Sequence, residues 1–187
     1  MTYPNWFEFV RPNFEEFLTP LAGQPLHCLQ LGAYTGDASV WLCENILTHR
    51  DSKLQDVDTW QGSNELGHKD INFDEVFKIH FNRTKDLPVQ RFRKTTVDYL
   101  CTAQKYYSFD FIYIDADHTT VGVLLDAELS WPMLKSGGIM AFDDYTWQHD
   151  SGDPRLAPQV GIDLFLHRHE LDYQLLTKNH QVWIKKR

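Results

Sequence analysis

Two acidic clusters stand where apolar runs end. Asp115-Ala116-Asp117-His118 follows Phe109-Asp110-Phe111-Ile112-Tyr113-Ile114, and Asp143-Asp144 follows Ile139-Met140-Ala141-Phe142. Carboxylates gathered in one place repel one another unless a cation or a proton intervenes. Hard oxygen donors of this kind suit Mg²⁺ or Ca²⁺ better than zinc. Earlier in the chain, Gly32-Ala33-Tyr34-Thr35-Gly36 follows Leu26–Leu31. Two glycines leave no side chain in the way, so the N–H groups of such a turn can meet a carboxylate or phosphate directly. The pattern is neither GxGxxG nor a P-loop, which makes a dinucleotide or nucleotide-hydrolysis reading weak. Asp58-Thr59-Trp60 closes the next apolar stretch, where an acid is placed to hydrogen-bond a ribose diol. Asp56 is its rival if that strand is shorter, and Trp60 could lie against an adenine or shape the pocket.

These groups work together only if strand ends bring them together. The run 109–114 is short, apolar and rich in β-branched and aromatic residues, which predicts a strand buried on both faces. A helical segment follows from Thr120 to Pro132. Leu134–Gly138 then turns the chain into a strand over Ile139–Phe142. Strand, helix, strand is a βαβ unit with parallel strands and a right-handed crossover. Its acids therefore share one rim, where open α/β sheets bind ligands.

The rest of the chain extends this pattern. Trp6–Leu21 reads as an amphipathic helix, broken or kinked near Pro12 and ended by Pro20; it could cover the sheet, overhang the site or mediate a homodimer contact. Leu26–Leu31 and Ser52–Val57 read as the first two strands, with a helix from Ala38 to Leu47 between them. A helix is expected over 72–83, preceded by a loop at Gly62–Lys69 of the kind that forms lids. Val89–Thr95 makes the third strand, and Thr96 and Asp98 then fall where its carboxyl end would meet a nucleobase. Thr146–Pro158 is polar and turn-rich, with His149, Asp150, Asp153 and Arg155 as candidate substrate contacts or plain solvated residues. Val160–His169 reads as a helix, and Tyr173–Thr177 and Gln181–Ile184 as a strand hairpin.

At 187 residues, with 42% apolar and 24% charged side chains, the chain suits one domain, 1–187, with 1–22 as an N-terminal helical extension. No apolar run is long enough to span a membrane, and Met1–Glu8 lacks the pattern of a signal peptide. Cys28, Cys43 and Cys101 are scattered, as in a reduced cytoplasmic protein. The net charge of −8 disfavours a nucleic-acid partner.

The motifs LQLGAYTGDASVWL (Leu29–Leu42), DVDTWQGSNE (Asp56–Glu65), FDFIYIDADHTTVGVLLDAELSWPMLKSGGIMAFDDY (Phe109–Tyr145) and QVGIDLFL (Gln159–Leu166) follow one another in an order that resembles class I S-adenosylmethionine-dependent methyltransferases. More narrowly, they resemble the small O-methyltransferase-like group called methyltransferase family 24. The resemblance implies a Rossmann-like α/β fold with a seven-stranded sheet of order 3-2-1-4-5-7-6 and strand 7 antiparallel. It places the methionine end of S-adenosyl-L-methionine on Gly32–Gly36, with Tyr34 and Thr35 in the turn. The ribose then meets Asp58, beside Thr59 and Trp60, and the adenine lies near Thr96 and Asp98. Gln30 stands where the family usually has an acid, so it accepts a hydrogen bond but offers the cofactor's ammonium no charge. By position, Asp115, Asp143 and Asp144 match acids that hold Mg²⁺ in metal-dependent relatives, Asp115 also bordering the cofactor. His118 matches a general base. Asp117 reads as an N-cap of the Thr120 helix or a residue supporting the ligands, rather than a ligand itself. The expected activity is metal-assisted O-methylation of a hydroxyl on a small polar molecule, a sugar or secondary metabolite. Its rivals are a metal-independent methyltransferase using His118 as base and an idle cofactor-binding partner protein.

Overall fold

The computed structural model describes residues 3–63, 66–103, 108–149 and 151–187, apart from the side chain of Leu66. Seven strands form one sheet: β1 His27–Leu31, β2 Lys53–Asp58, β3 Val89–Arg93, β4 Phe109–Ile114, β5 Leu134–Phe142, β6 Tyr173–Lys178 and β7 Val182–Lys186. Their order is β3-β2-β1-β4-β5-β7-β6. β1 to β5 pair in parallel, and β7 runs antiparallel to both β5 and β6. This is the expected α/β topology.

Among the described residues, six α-helices cover the sheet: α1 Phe7–Leu18, α2 Asp37–Asn45, α3 Phe73–Thr84, α4 Thr96–Ala103, α5 Thr120–Ser130 and α6 Gln159–Arg168. Strand alternation sorts them into two layers. Leu29, Leu31, Ile112, Ile114, Met140 and Phe142 face one core with α4, α5 and α6. Cys28, Leu54, Phe111, Tyr113 and Trp183 face the other with α1 and α2. No helix among the described residues is long and apolar enough to cross a membrane.

Three local readings are corrected. α1 continues through Pro12 instead of breaking there. The proline removes one backbone donor, but Phe7, Val10, Phe14 and Leu18 stay buried along one face, and Phe14 stands edge-on to Phe111, Tyr113 and Trp183. The helix thus covers one face of the sheet. Leu134–Gly138 is not a turn, because Leu134 already pairs with Phe109 and the register shifts between Phe109 and Phe111. The two glycines there form an irregularity inside a long strand. Asp117 does not cap α5; Thr119 does, accepting from the Gly122 amide, while Asp117 Oδ1 accepts the Thr119 N–H at 2.9 Å.

Candidate active site

The ends of β1, β4 and β5 are tied side by side beyond their last strand residues. Asp115 N donates to Leu31 O at 2.8 Å, and Asp143 N to Ile114 O at 3.0 Å. Gly32 sits at φ +85°, and a Cβ added there would lie 1.8 Å from the Asp115 carbonyl oxygen. Only glycine fits, and its absent side chain brings the glycine turn against the acidic rim.

The turn is anchored from β2. Asp58 Oδ2 accepts from Ala33 N at 2.8 Å and Tyr34 N at 3.0 Å, and its Oδ1 accepts from Trp60 N at 2.6 Å. A carboxylate oxygen has two lone pairs, so Oδ1 keeps one for a further donor such as a sugar hydroxyl. Gln30 is consumed internally: its Nε2 donates to Gly32 O, and its Oε1 accepts from Ser39 at the start of α2. Thr35 is buried, with its hydroxyl on Asp37. Thr59 accepts the Gln61 N–H on its hydroxyl and Arg93 Nε on its carbonyl. Trp60 is 1% exposed, lies against Phe77 and His80, and donates Nε1 to Tyr34 O, so it offers no face to a base. Asp56 lies inside β2, fully buried against His80, and is closed to a ribose.

Across the rim, Thr96 opens α4 and its hydroxyl bonds Asp126 of α5. Asp98 is exposed in the first turn of α4, whose amide Thr95 caps at 3.1 Å. Burial pushes Asp126 up to about 7, Thr96 opposing and Asp117 adding to the rise.

The acidic rim closes around His118. Its Nε2 is 3.0 Å from Asp144 Oδ2 and 3.5 Å from Asp115 Oδ1. Ligand atoms from Asp115, His118 and Asp144 lie within 4.8 Å of one another, a grouping able to hold a metal ion. Asp143, expected beside them, is turned under the rim: it accepts from the Tyr113 hydroxyl and, at 2.8 Å, from the Asp144 amide. The reason is the left-handed backbone of Asp144, φ +56°, which sends the second acid of the pair toward His118. Burial raises the pKa of Asp115, with Asp143 adding and the His118 hydrogen bond opposing. Burial also raises Asp143, followed by the charge of Asp144. A rim that favours protons in this way fits a divalent cation, which would neutralise the same charges.

In the loop after β5, the Trp147 ring lies 5.3 Å from His118 and 6.1 Å from His149. His149 bonds Ser151, and Asp153 and Arg155 satisfy each other at 2.6 Å. Asp150 lies outside the described residues, as do residues 64 and 65 of the expected lid; Leu66–His68 beyond them form a short 3-10 turn. Trp147, Tyr113 and Asp126 were missed because each depends on the pairing of distant segments.

This sheet order, with a glycine turn on β1 and acids at the ends of β2, β4 and β5, defines a class: the fold is that of class I S-adenosylmethionine-dependent methyltransferases. The chain belongs within it to the Methyltransf_24 family, "Methyltransferase domain", whose model matches residues 29–145. No curated protein matches it significantly by sequence. Among solved structures it is similar to the MycE methyltransferase of the mycinamycin biosynthetic pathway, in complex with Mg and SAH, at 14% identity and TM-score 0.63. That match covers 100% of this chain and 51% of MycE, so the chain spans about half the length of that neighbour. It is also similar to an O-methyltransferase from Bacillus cereus in complex with SAH, at 18% identity and TM-score 0.65, covering 94% and 81% of the two chains. The O-methyltransferase NovP matches at 19% identity and TM-score 0.64, covering 96% of this chain and 78% of NovP.

Proposed function

We propose that this chain transfers the methyl group of S-adenosylmethionine to a hydroxyl of a small polar molecule, assisted by Mg²⁺ or a similar divalent cation. The observation that carries this reading is the Asp115–His118–Asp144 cluster, set against the glycine turn by the contact between Gly32 and Asp115. Methyl transfer from a sulfonium is an in-line displacement, so the protein's main task is alignment of the incoming oxygen with the methyl carbon. The glycine turn receives the methionine end of the donor, and Asp58 Oδ1 accepts a ribose hydroxyl. Asp115 and Asp144 would hold the cation, with Asp143 fixing the Asp144 amide from below. A bound divalent cation would lower the pKa of the substrate hydroxyl. His118, whose Nε2 faces the same point as the two carboxylates, receives the proton. The neighbour complexes with SAH and Mg support the reading.

A thermal melt with S-adenosylhomocysteine, with and without Mg²⁺ and chelator, tests it. A ligand of the native state raises the midpoint by several degrees at saturation. The expected result is a rise with S-adenosylhomocysteine that Asp58→Ala removes, and a further rise with Mg²⁺ that Asp144→Ala removes. No rise at millimolar S-adenosylhomocysteine would overturn the proposal. A rise with S-adenosylhomocysteine but none with Mg²⁺ leaves His118 acting without a metal.

A further inference from the structure

A second cluster of ionisable side chains, which methyl transfer itself does not use, lies beneath the glycine turn. Asp56 of β2 and His80 of α3 both have fully buried side chains, with His80 Nε2 2.8 Å from Asp56 Oδ2. Asp56 Oδ1 and His80 Nδ1 have no hydrogen-bond partner among the described residues. A buried pair left incompletely satisfied is a poor source of stability, and apolar residues of similar volume often serve the fold better. Its position suggests what it does instead. The His80 ring edge packs on Gly36: a Cβ there would stand 2.9 Å from His80 Cδ2, and Gly36 holds φ +82°. One turn further along α3, Arg83 Nη1 donates to Thr35 O at 3.1 Å and pairs with Asp37 Oδ1 at 2.7 Å. Trp60, set edge-on to His80 with ring centroids 5.0 Å apart, donates to Tyr34 O at 2.9 Å.

Two successive carbonyls of the turn, Tyr34 and Thr35, are therefore pinned from the α3 side. A planar trans peptide points its N–H opposite its carbonyl. Fixing those carbonyls thus fixes the direction of the Thr35 N–H, while the Gly36 N–H is held inside the turn by Ala33 O at 2.8 Å.

We propose that His80, held by Asp56, and Arg83 are positioning residues that set the turn over 34–37 for the methionine end of the cofactor. This rests on the reading of that turn as the S-adenosylmethionine site. α3 thereby acts as a clamp on the turn.

The test is calorimetric binding of S-adenosylhomocysteine to the full chain, alongside unliganded thermal melts. Arg83→Met keeps the stem and removes the guanidinium; Arg83→Lys restores a charge. The double variant Asp56→Val/His80→Phe replaces the buried pair by apolar groups and avoids leaving one buried polar partner behind. Arg83→Met and the double variant are expected to weaken binding roughly tenfold, with partial recovery in Arg83→Lys and an unliganded midpoint for Arg83→Met near that of wild type. Folded variants that bind as wild type does, whatever their midpoints, would overturn the positioning role alone. A wild-type chain that fails to bind S-adenosylhomocysteine would overturn it together with the cofactor reading.

Discussion

Two glycines with similar backbone conformations separate what close approach costs from what conformation costs. Gly32 and Gly137 sit at φ +85° and +81°, but a Cβ at Gly32 meets the Asp115 backbone at 1.8 Å while one at Gly137 meets nothing within 4 Å. Gly137→Ala should lose about 1 kcal/mol, the left-handed penalty alone. Gly32→Ala must also part the ends of β1 and β4, and should lose more than about 3 kcal/mol in urea unfolding together with S-adenosylhomocysteine binding. Equal losses in the two variants would refute the close approach. Asp126 supplies a residue-scale pH effect. It is 1% exposed and its pKa is raised from 3.8 to about 7, so the folded chain holds a proton that the unfolded chain releases. Stability from this group is complete below about pH 4 and is lost as pH rises through about 7. Asp126→Asn should remove that part of the decline and raise the melting midpoint at pH 8 above wild type; an unchanged slope would sink the assignment. The positions of acids at the ends of apolar runs were legible, as for Asp58, Asp115 and the Asp143–Asp144 pair. The direction of a side chain was not, where one backbone angle decides it, as at Asp143 and Asp144, or where a partner arrives from another element, as at Asp56 and His80.

Elements were legible in kind because alternation and helical periodicity leave strong marks, and their ends were less so because caps compete. Asp117 and Thr119 both qualify as N-caps by type; the side chain that reaches an amide inside the first turn is Thr119, at 3.0 Å from Gly122 N. Thr119→Ala should therefore lose about 1 kcal/mol, read as a lower midpoint in denaturant with unchanged slope. Asp117→Ala, which releases only the Thr119 amide, should lose less, and the opposite ranking would return the cap to Asp117. Pro12 shows the same competition. Its missing donor favours a break, but four buried side chains on one face of α1 outweigh one hydrogen bond. The glycine pair at 137–138 reads as a turn in the sequence because local residues cannot show that Leu134 pairs with Phe109 across the sheet.

At the scale of the molecule, the sheet order follows from parallel βαβ connections and was legible, whereas the balance of charge at its rim is set only when β4 and β5 lie side by side. Asp115 and Asp143 are both raised by burial and then by neighbouring carboxylates, so folding concentrates negative charge at one point. The sign follows from the protons. With both pKa values raised, the folded chain binds more protons than the unfolded chain in the window above the ordinary carboxylate range, so stability falls as pH rises through that window. A divalent cation competes for the same oxygens and binds best when the protons have left. In chelator the midpoint should therefore decline with pH. With Mg²⁺ the decline should be shallower, and the two curves should separate more as pH rises toward 8. Asp126 contributes equally to both curves, so their difference isolates the rim. Asp115→Asn removes one charge and one ligand at once; it should flatten the chelator curve and close the gap. Curves that stay superimposed in the wild-type chain would show that the rim manages its repulsion with protons alone, and the case for a metal at this site would fall.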